Sequence, residues 1–64
     1  MSQKAAILQW LKSDPITARQ ASRILGIDRC AARIDELRKE GHQIATEMIE
    51  TYGGKHVARY SLVR

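Results

Sequence analysis

The sequence predicts an α+β fold of three helices followed by a two-stranded β-hairpin, and three observations lead there. Apolar residues recur at helical spacing through the first forty positions, interrupted at Ser13-Asp14-Pro15 and at Gly26. From Gln43 the spacing changes to alternation, which places successive side chains on opposite faces of a strand. Gly53 and Gly54 then separate two alternating runs, at a point where a tight hairpin needs positive φ.

The first helix runs over about 2–12. Ser2 is its cap, and Lys4, Ile7, Leu8 and Leu11 share one side at about 100° per residue, with Trp10 on the margin. It stops at Ser13-Asp14-Pro15, because the residue before a proline is pushed out of helical geometry. Ile16 has room to be a single extended residue. Thr17-Ala18-Arg19-Gln20 then fits a capping box, with threonine at the cap and glutamine three residues on. The second helix covers about 18–25, with Ala18, Ala21, Ile24 and Leu25 on one side and Arg19 and Arg23 on the other, and Gly26 supplies the left-handed residue that ends it.

Asp28 is placed to accept from the free amides that open a third helix, over about 29–40, which Gly41 ends. With Ile34 as the centre of its buried face, Cys30, Ala31 and Leu37 fall within about 60°, and Arg38 lies close enough to bury its stem. Arg29, Ala32, Arg33 and Glu36 then face outward. The hairpin strands cover about 43–51 and 56–63. Pairing Ile44 with Leu62, Thr46 with Tyr60 and Met48 with Ala58 gives one mostly apolar side and sets Glu47 opposite Arg59. This register needs a three-residue loop with a left-handed glycine, whereas a one-residue slip would scramble the faces.

At 64 residues the chain has room for one domain, 1–64, and a domain this short buries only about 60% of its unfolded surface. With 44% hydrophobic and 28% charged residues it reads as a folded soluble domain. Its apolar runs are far short of the ~20 residues that cross a bilayer, and the N-terminus lacks a signal peptide's basic start and apolar run, so the expected place of action is the cytoplasm, away from membranes. The start at Met1 and the end just after Val63 favour a complete protein over a fragment of a larger nucleoprotein machine. The lone Cys30 excludes an internal disulfide or a cysteine zinc cluster and reads as a small core residue, and His42 and His56 lack companion ligands. No acid pair, nucleophile elbow or phosphate loop is present, so neither catalysis, a cofactor, a metal nor a small-molecule ligand is expected. The formal charge is +4, carried mostly by arginine, which favours an acidic partner.

Three runs of residues together resemble the winged helix-turn-helix family across essentially the whole chain. They are Thr17-Ala18-Arg19-Gln20-Ala21-Ser22-Arg23-Ile24-Leu25-Gly26-Ile27, then Arg33-Ile34-Asp35-Glu36-Leu37-Arg38-Lys39-Glu40-Gly41-His42, then Tyr60-Ser61-Leu62. In particular the chain is similar to the small stand-alone helix-turn-helix DNA-binding domains of bacteriophages and prophages. The resemblance implies double-stranded DNA as the partner, with the third helix as recognition helix in the major groove.

On that reading Arg29 and Arg33 bond guanine edges, Ala32 allows close approach or touches a thymine methyl, and Glu36 accepts from cytosine or holds an arginine in place. Thr17 and the free amides that open the second helix, with Arg19 and Arg23, seat phosphates. Gly53, Gly54, Lys55 and His56 on the wing reach an adjacent phosphate or the minor groove. The implied roles are a small transcriptional regulator or a recombination or architectural factor. A homodimer or a cooperative array would supply further half-sites, and Trp10 beside Ile7, or Ile49 with Val57 on the outward hairpin face, are candidate self-contacts. The plain alternative for Arg29 and Arg33 is a solvated helix face pairing with Asp28, Asp35 or Glu36. The alternative for the protein is an interaction module of the same fold that docks on a host or nucleoprotein complex, suggested by Glu36, Glu40, Glu47 and Glu50.

Overall fold

A computed structural model describes residues 2–63 of the chain. Its elements run α1 (Gln3–Leu11), β1 (Ile16–Thr17), α2 (Ala18–Leu25), α3 (Cys30–Lys39), β2 (Ile44–Glu50), a single 3-10 turn (Tyr52–Gly54) and β3 (His56–Leu62). Ser2 caps α1, accepting from the Ala5 amide at 3.1 Å. Thr17 caps α2 in a full capping box: its hydroxyl accepts from the Gln20 amide at 3.0 Å, and Gln20 Oε1 accepts from the Thr17 amide at 2.9 Å. Gly26, at φ 69°, closes α2 in the left-handed region that side chains with a Cβ avoid. At the end of α3 the His42 amide donates to the Leu37 carbonyl and the Gly41 amide to the Arg38 carbonyl, the paired bonds of a Schellman stop.

The helices pack around Ile7 and Leu11 of α1, Ala21 of α2, Ile27 of the turn, and Cys30, Ile34 and Leu37 of α3. The sheet adds Ile16, Ile44 and Tyr60 to this core. Burial raises the pKa of the Cys30 thiol and of the Tyr60 phenol, so both stay neutral, and Cys30 is a core residue. Trp10 is half-buried against the core, and its indole N–H donates to the Pro15 carbonyl at 3.0 Å. Ile7 is fully buried, so of the apolar pair suggested as a self-contact only the half-buried Trp10 keeps any surface.

The hairpin has the register read from its faces, with Ile44 opposite Leu62, Thr46 opposite Tyr60, Glu47 opposite Arg59 and Met48 opposite Ala58. It is joined by a strand that alternation could not reveal. Ile16 and Thr17 pair with Tyr60 and Arg59, making a three-stranded antiparallel sheet in the order β1-β3-β2 instead of the two strands expected. Two residues between a proline and a helix cap are too few to show a period, and it is the open edge of β3 that organises them. The inner face also thins toward the tip: Ile44 and Tyr60 are buried, but Thr46 is exposed and Met48 is 62% exposed, because the strands outrun the helices beneath them. The molecule is accordingly elongated, 35 × 24 × 20 Å.

Arg38 fastens α3 to the sheet. Its Nε and Nη2 donate to the Ile44 carbonyl at 3.1 and 2.8 Å, and Nη2 also reaches the Thr46 hydroxyl. β2 is an edge strand, so the guanidinium occupies acceptors that no neighbouring strand takes. Arg38→Met keeps the aliphatic stem and removes these bonds. The expected cost is about 1–2 kcal/mol, the low end for charged hydrogen bonds because the site is open to water, or roughly 5–15 °C in Tm for a domain of this size. A thermal melt checks it, and an unchanged Tm would show that the guanidinium does not hold the two elements together.

Candidate nucleic-acid interface

The capping box and β1 decide where α2 begins. Thr17 is at once the last residue of β1, opposite Arg59 of β3, and the cap of α2, so the first turn of α2 is fixed to the wing's inner strand. Arg19 and Arg23 follow four residues apart on the solvent side, both exposed. With Thr17, Gln20 and Ile24 they line a shallow hollow. Ile24, placed by periodicity on the apolar side, is 59% exposed here, and Ala21 alone of the four expected positions is fully buried. The capping box occupies the Thr17 and Gln20 amides, which leaves the Ala18 and Arg19 amides as the outward donors of that turn.

α3 opens differently from the expectation. Asp28 does not cap it: the carboxylate accepts from the Ser22 hydroxyl at 2.9 Å, tying the turn back to α2. Arg29 takes the cap position without a side-chain capping bond, and its side chain is exposed. The buried stripe is Cys30, Ile34 and Leu37, whose centre lies about 30–40° from Ile34 toward Leu37 on a 100° wheel. That rotation exposes Ala31, which was expected in the core, and draws Arg33 and Glu36 into partial burial instead of full exposure; Ala32 is also half-buried, though it stays opposite the core. The physical reason is α1, whose N-terminal end covers this flank. A hollow there is lined by Ser2, Gln3, Lys4, Arg33 and Glu36.

Arg33 is consequently held. Its Nε lies 2.9 Å from Glu36 Oε1, poorly aligned as a hydrogen bond, and its Nη1 donates to Gln3 Oε1 at 3.4 Å. The side chain is 29% exposed. Of the two roles considered for Glu36, holding an arginine in place is the one its geometry serves. Lys4 pairs with Glu40 at the same junction of α1 and α3, and the hydrogen bond to that carboxylate raises its pKa.

At the wing tip the Thr51 amide donates to the Lys55 carbonyl at 2.7 Å, and the Thr51 hydroxyl donates to it at 3.1 Å. This closes a loop of three residues, Tyr52, Gly53 and Gly54, in which both glycines have positive φ, 80° and 74°, where one left-handed glycine was expected. Lys55 and His56 are exposed beside it, and His56 Nε2 lies 4.0 Å from Glu50. Tyr52, not among the wing residues expected to meet DNA, is fully exposed. An aromatic residue directly before a glycine pair in a hairpin loop, with no partner across the strands, is the signal that marks it.

Charge is distributed unevenly over these elements. Glu36, Glu40, Glu47 and Glu50 face Arg33, Lys4, Arg59 and His56, and Asp35 lies 3.3 Å from Lys39. Arg38 is taken up by neutral oxygens. Among the described residues, the arginines and lysines left with no partner are Arg19 and Arg23 on α2, Arg29 at the start of α3 and Lys55 on the wing. They belong to the three elements that the sequence reading singled out. Among the described residues there is also no group of three His, Cys, Asp or Glu side chains able to hold a metal ion, and no helix long and apolar enough to cross a membrane.

No curated protein and no solved structure matches the chain. The model of the winged helix-turn-helix domain, a fold that in general binds DNA, matches residues 2–64. Three helices, a glycine turn between the second and third, and a sheet whose last two strands form a projecting hairpin are the architecture that this match describes. The chain belongs to the winged helix-turn-helix family.

Proposed function

We propose that the protein binds double-stranded DNA sequence-specifically, as a small phage or bacterial transcriptional regulator or a recombination or architectural factor acting in the cytoplasm. α3 enters the major groove by its N-terminal end. Arg29, unpaired and at the cap, is the leading base reader, able to bond guanine O6 and N7 together. Arg33 follows it, oriented by Glu36, with Ala32 leaving room for close approach. Arg19 and Arg23, with Thr17 and the open amides of α2, seat one phosphate run. Gly53, Gly54, Lys55 and His56 meet the backbone or minor groove one step away. A single copy presents one recognition helix, so specific affinity calls for a homodimer or a cooperative array on DNA.

The observation that carries this reading is the location of the partnerless cations among the described residues, on α2, at the start of α3 and on the wing, while the other described cations have partners within the fold. The same pairing weakens the alternative of a protein-docking module, since Glu36, Glu40 and Glu47 each have a cationic neighbour in the fold, and Glu50 lies 4.0 Å from His56.

A salt titration of duplex affinity tests the reading. Arg19, Arg23 and Lys55, set against the backbone, displace counterions and give a slope of log affinity against log salt of about −3. A flat response would contradict it.

A further inference from the structure

We propose that Tyr52 is a groove-inserting residue: the wing drives its ring into the minor groove beside the recognition site, where it stacks against an opened base step and bends the duplex. The inference rests on the DNA-binding reading and adds to it an apolar contact and a deformation that no charged residue supplies.

Three observations lead to it. Tyr52 is 102% exposed, so its ring contributes nothing to the fold, in a protein that otherwise keeps its other aromatics, Trp10 and Tyr60, against the core. An aromatic side chain carries some 150–250 Å² of surface whose burial is a main source of binding energy, and leaving all of it in water makes sense where a partner covers it. The backbone that carries the ring is also held. The Thr51 amide and hydroxyl both bond the Lys55 carbonyl, and the Gly54 amide returns to the Thr51 carbonyl at 3.2 Å, so the tip is a closed loop.

The tip is also narrow. Gly53 and Gly54, which follow Tyr52, carry no side chains, so backbone alone flanks the ring there. Lys55, unpaired and adjacent, supplies the cation that the groove's negative potential attracts. A ring with a phenol edge, a slender, closed mount and a neighbouring positive charge together match the chemistry of a minor-groove wedge, which opens a base step and kinks the helix toward the major groove.

The test compares the full-length protein with Tyr52→Ala, Tyr52→Phe and Lys55→Ala on one duplex selected by the wild type. Affinity is measured across a salt series, and bending by energy transfer between dyes on the duplex ends. Tyr52→Ala is expected to bind about tenfold more weakly, in the range of a lost base–aromatic stack, with the salt slope unchanged, the bend reduced and Tm unaltered. Tyr52→Phe should bind and bend like the wild type. Lys55→Ala should instead lower the slope by about 0.9. Wild-type affinity and bend in Tyr52→Ala would overturn the inference, as would an equal loss in Tyr52→Phe, which would assign the contact to the hydroxyl. If the wild type bound no duplex, the DNA-binding reading itself would fall, an outcome distinct from either.

Discussion

Replacing Arg19, Arg23 and Arg29 together by alanine is expected to weaken specific duplex binding by roughly 10²- to 10⁴-fold while leaving the fold intact. The size follows from charge-assisted contacts worth about 1–3 kcal/mol each, summed over three positions with some loss of additivity. The fold is spared because all three side chains are exposed and partnerless among the described residues, so their removal orphans no carboxylate. Alanine is at least as good a helix former as arginine within α2, and the one small loss is the favourable position of Arg23 in the last turn of that helix.

The single variants separate the roles. Arg29→Ala should cost affinity mainly on duplexes carrying its guanine, whereas Arg19→Ala and Arg23→Ala should weaken all sequences alike and flatten the salt response by about 0.9 each. Lys39→Ala, whose cation already lies beside Asp35, should bind nearly as the wild type does. Fluorescence anisotropy on a labelled duplex reads all of these, and wild-type affinity in the triple variant would remove the proposed interface.

Ile34→Ala is expected to remove a large share of the domain's stability. Ile34 is 1% exposed on the face that α3 turns to the neighbouring helices, and a buried isoleucine-to-alanine change costs about 2–5 kcal/mol. A domain of 64 residues has a total stability of only about 3–10 kcal/mol. No disulfide reinforces the core, since Cys30 is free, so the loss falls directly on packing. Circular dichroism should show Tm lowered by more than about 10 °C, against about half that or less for Ile34→Val. Ile24→Ala, at a position 59% exposed, should stay within about 1 kcal/mol of the wild type. An Ile34→Ala variant that melts with the wild type would mean that α3 is not anchored as described, and the outward direction of Arg29 would lose its basis.

The parts of the fold that were legible in the sequence are those written in local chemistry. The Thr17–Gln20 capping box, the Ser2 cap, the Gly26 stop and the register of Ile44 against Leu62 each depend on a few neighbouring residues or on one alternating face, and the structure has all of them. The parts that were misread depend on distant neighbours. Ile16 and Thr17 become a strand because β3 offers an edge some forty residues away. Asp28 abandons the cap of α3 because Ser22, on the preceding helix, offers it a hydroxyl.

The recognition helix shows the same limit. A wheel centred on Ile34 misjudges the core direction by a few tens of degrees, which is enough to exchange Ala31 with Arg33. Only the packing of α1 sets that angle. The candidate site was therefore legible as a set of elements, while the state of each side chain, free at Arg29 and held at Arg33, was not.

Selection of binding sites from a pool of random duplexes at physiological salt, run in parallel on the wild type and Arg29→Ala, tests the central claim most directly. The account predicts a recurrent motif for the wild type, arranged as a palindrome or as repeats, with a guanine whose preference relaxes in the variant. A pool that returns no enriched sequence for the wild type, or the same guanine preference for both proteins, would contradict it.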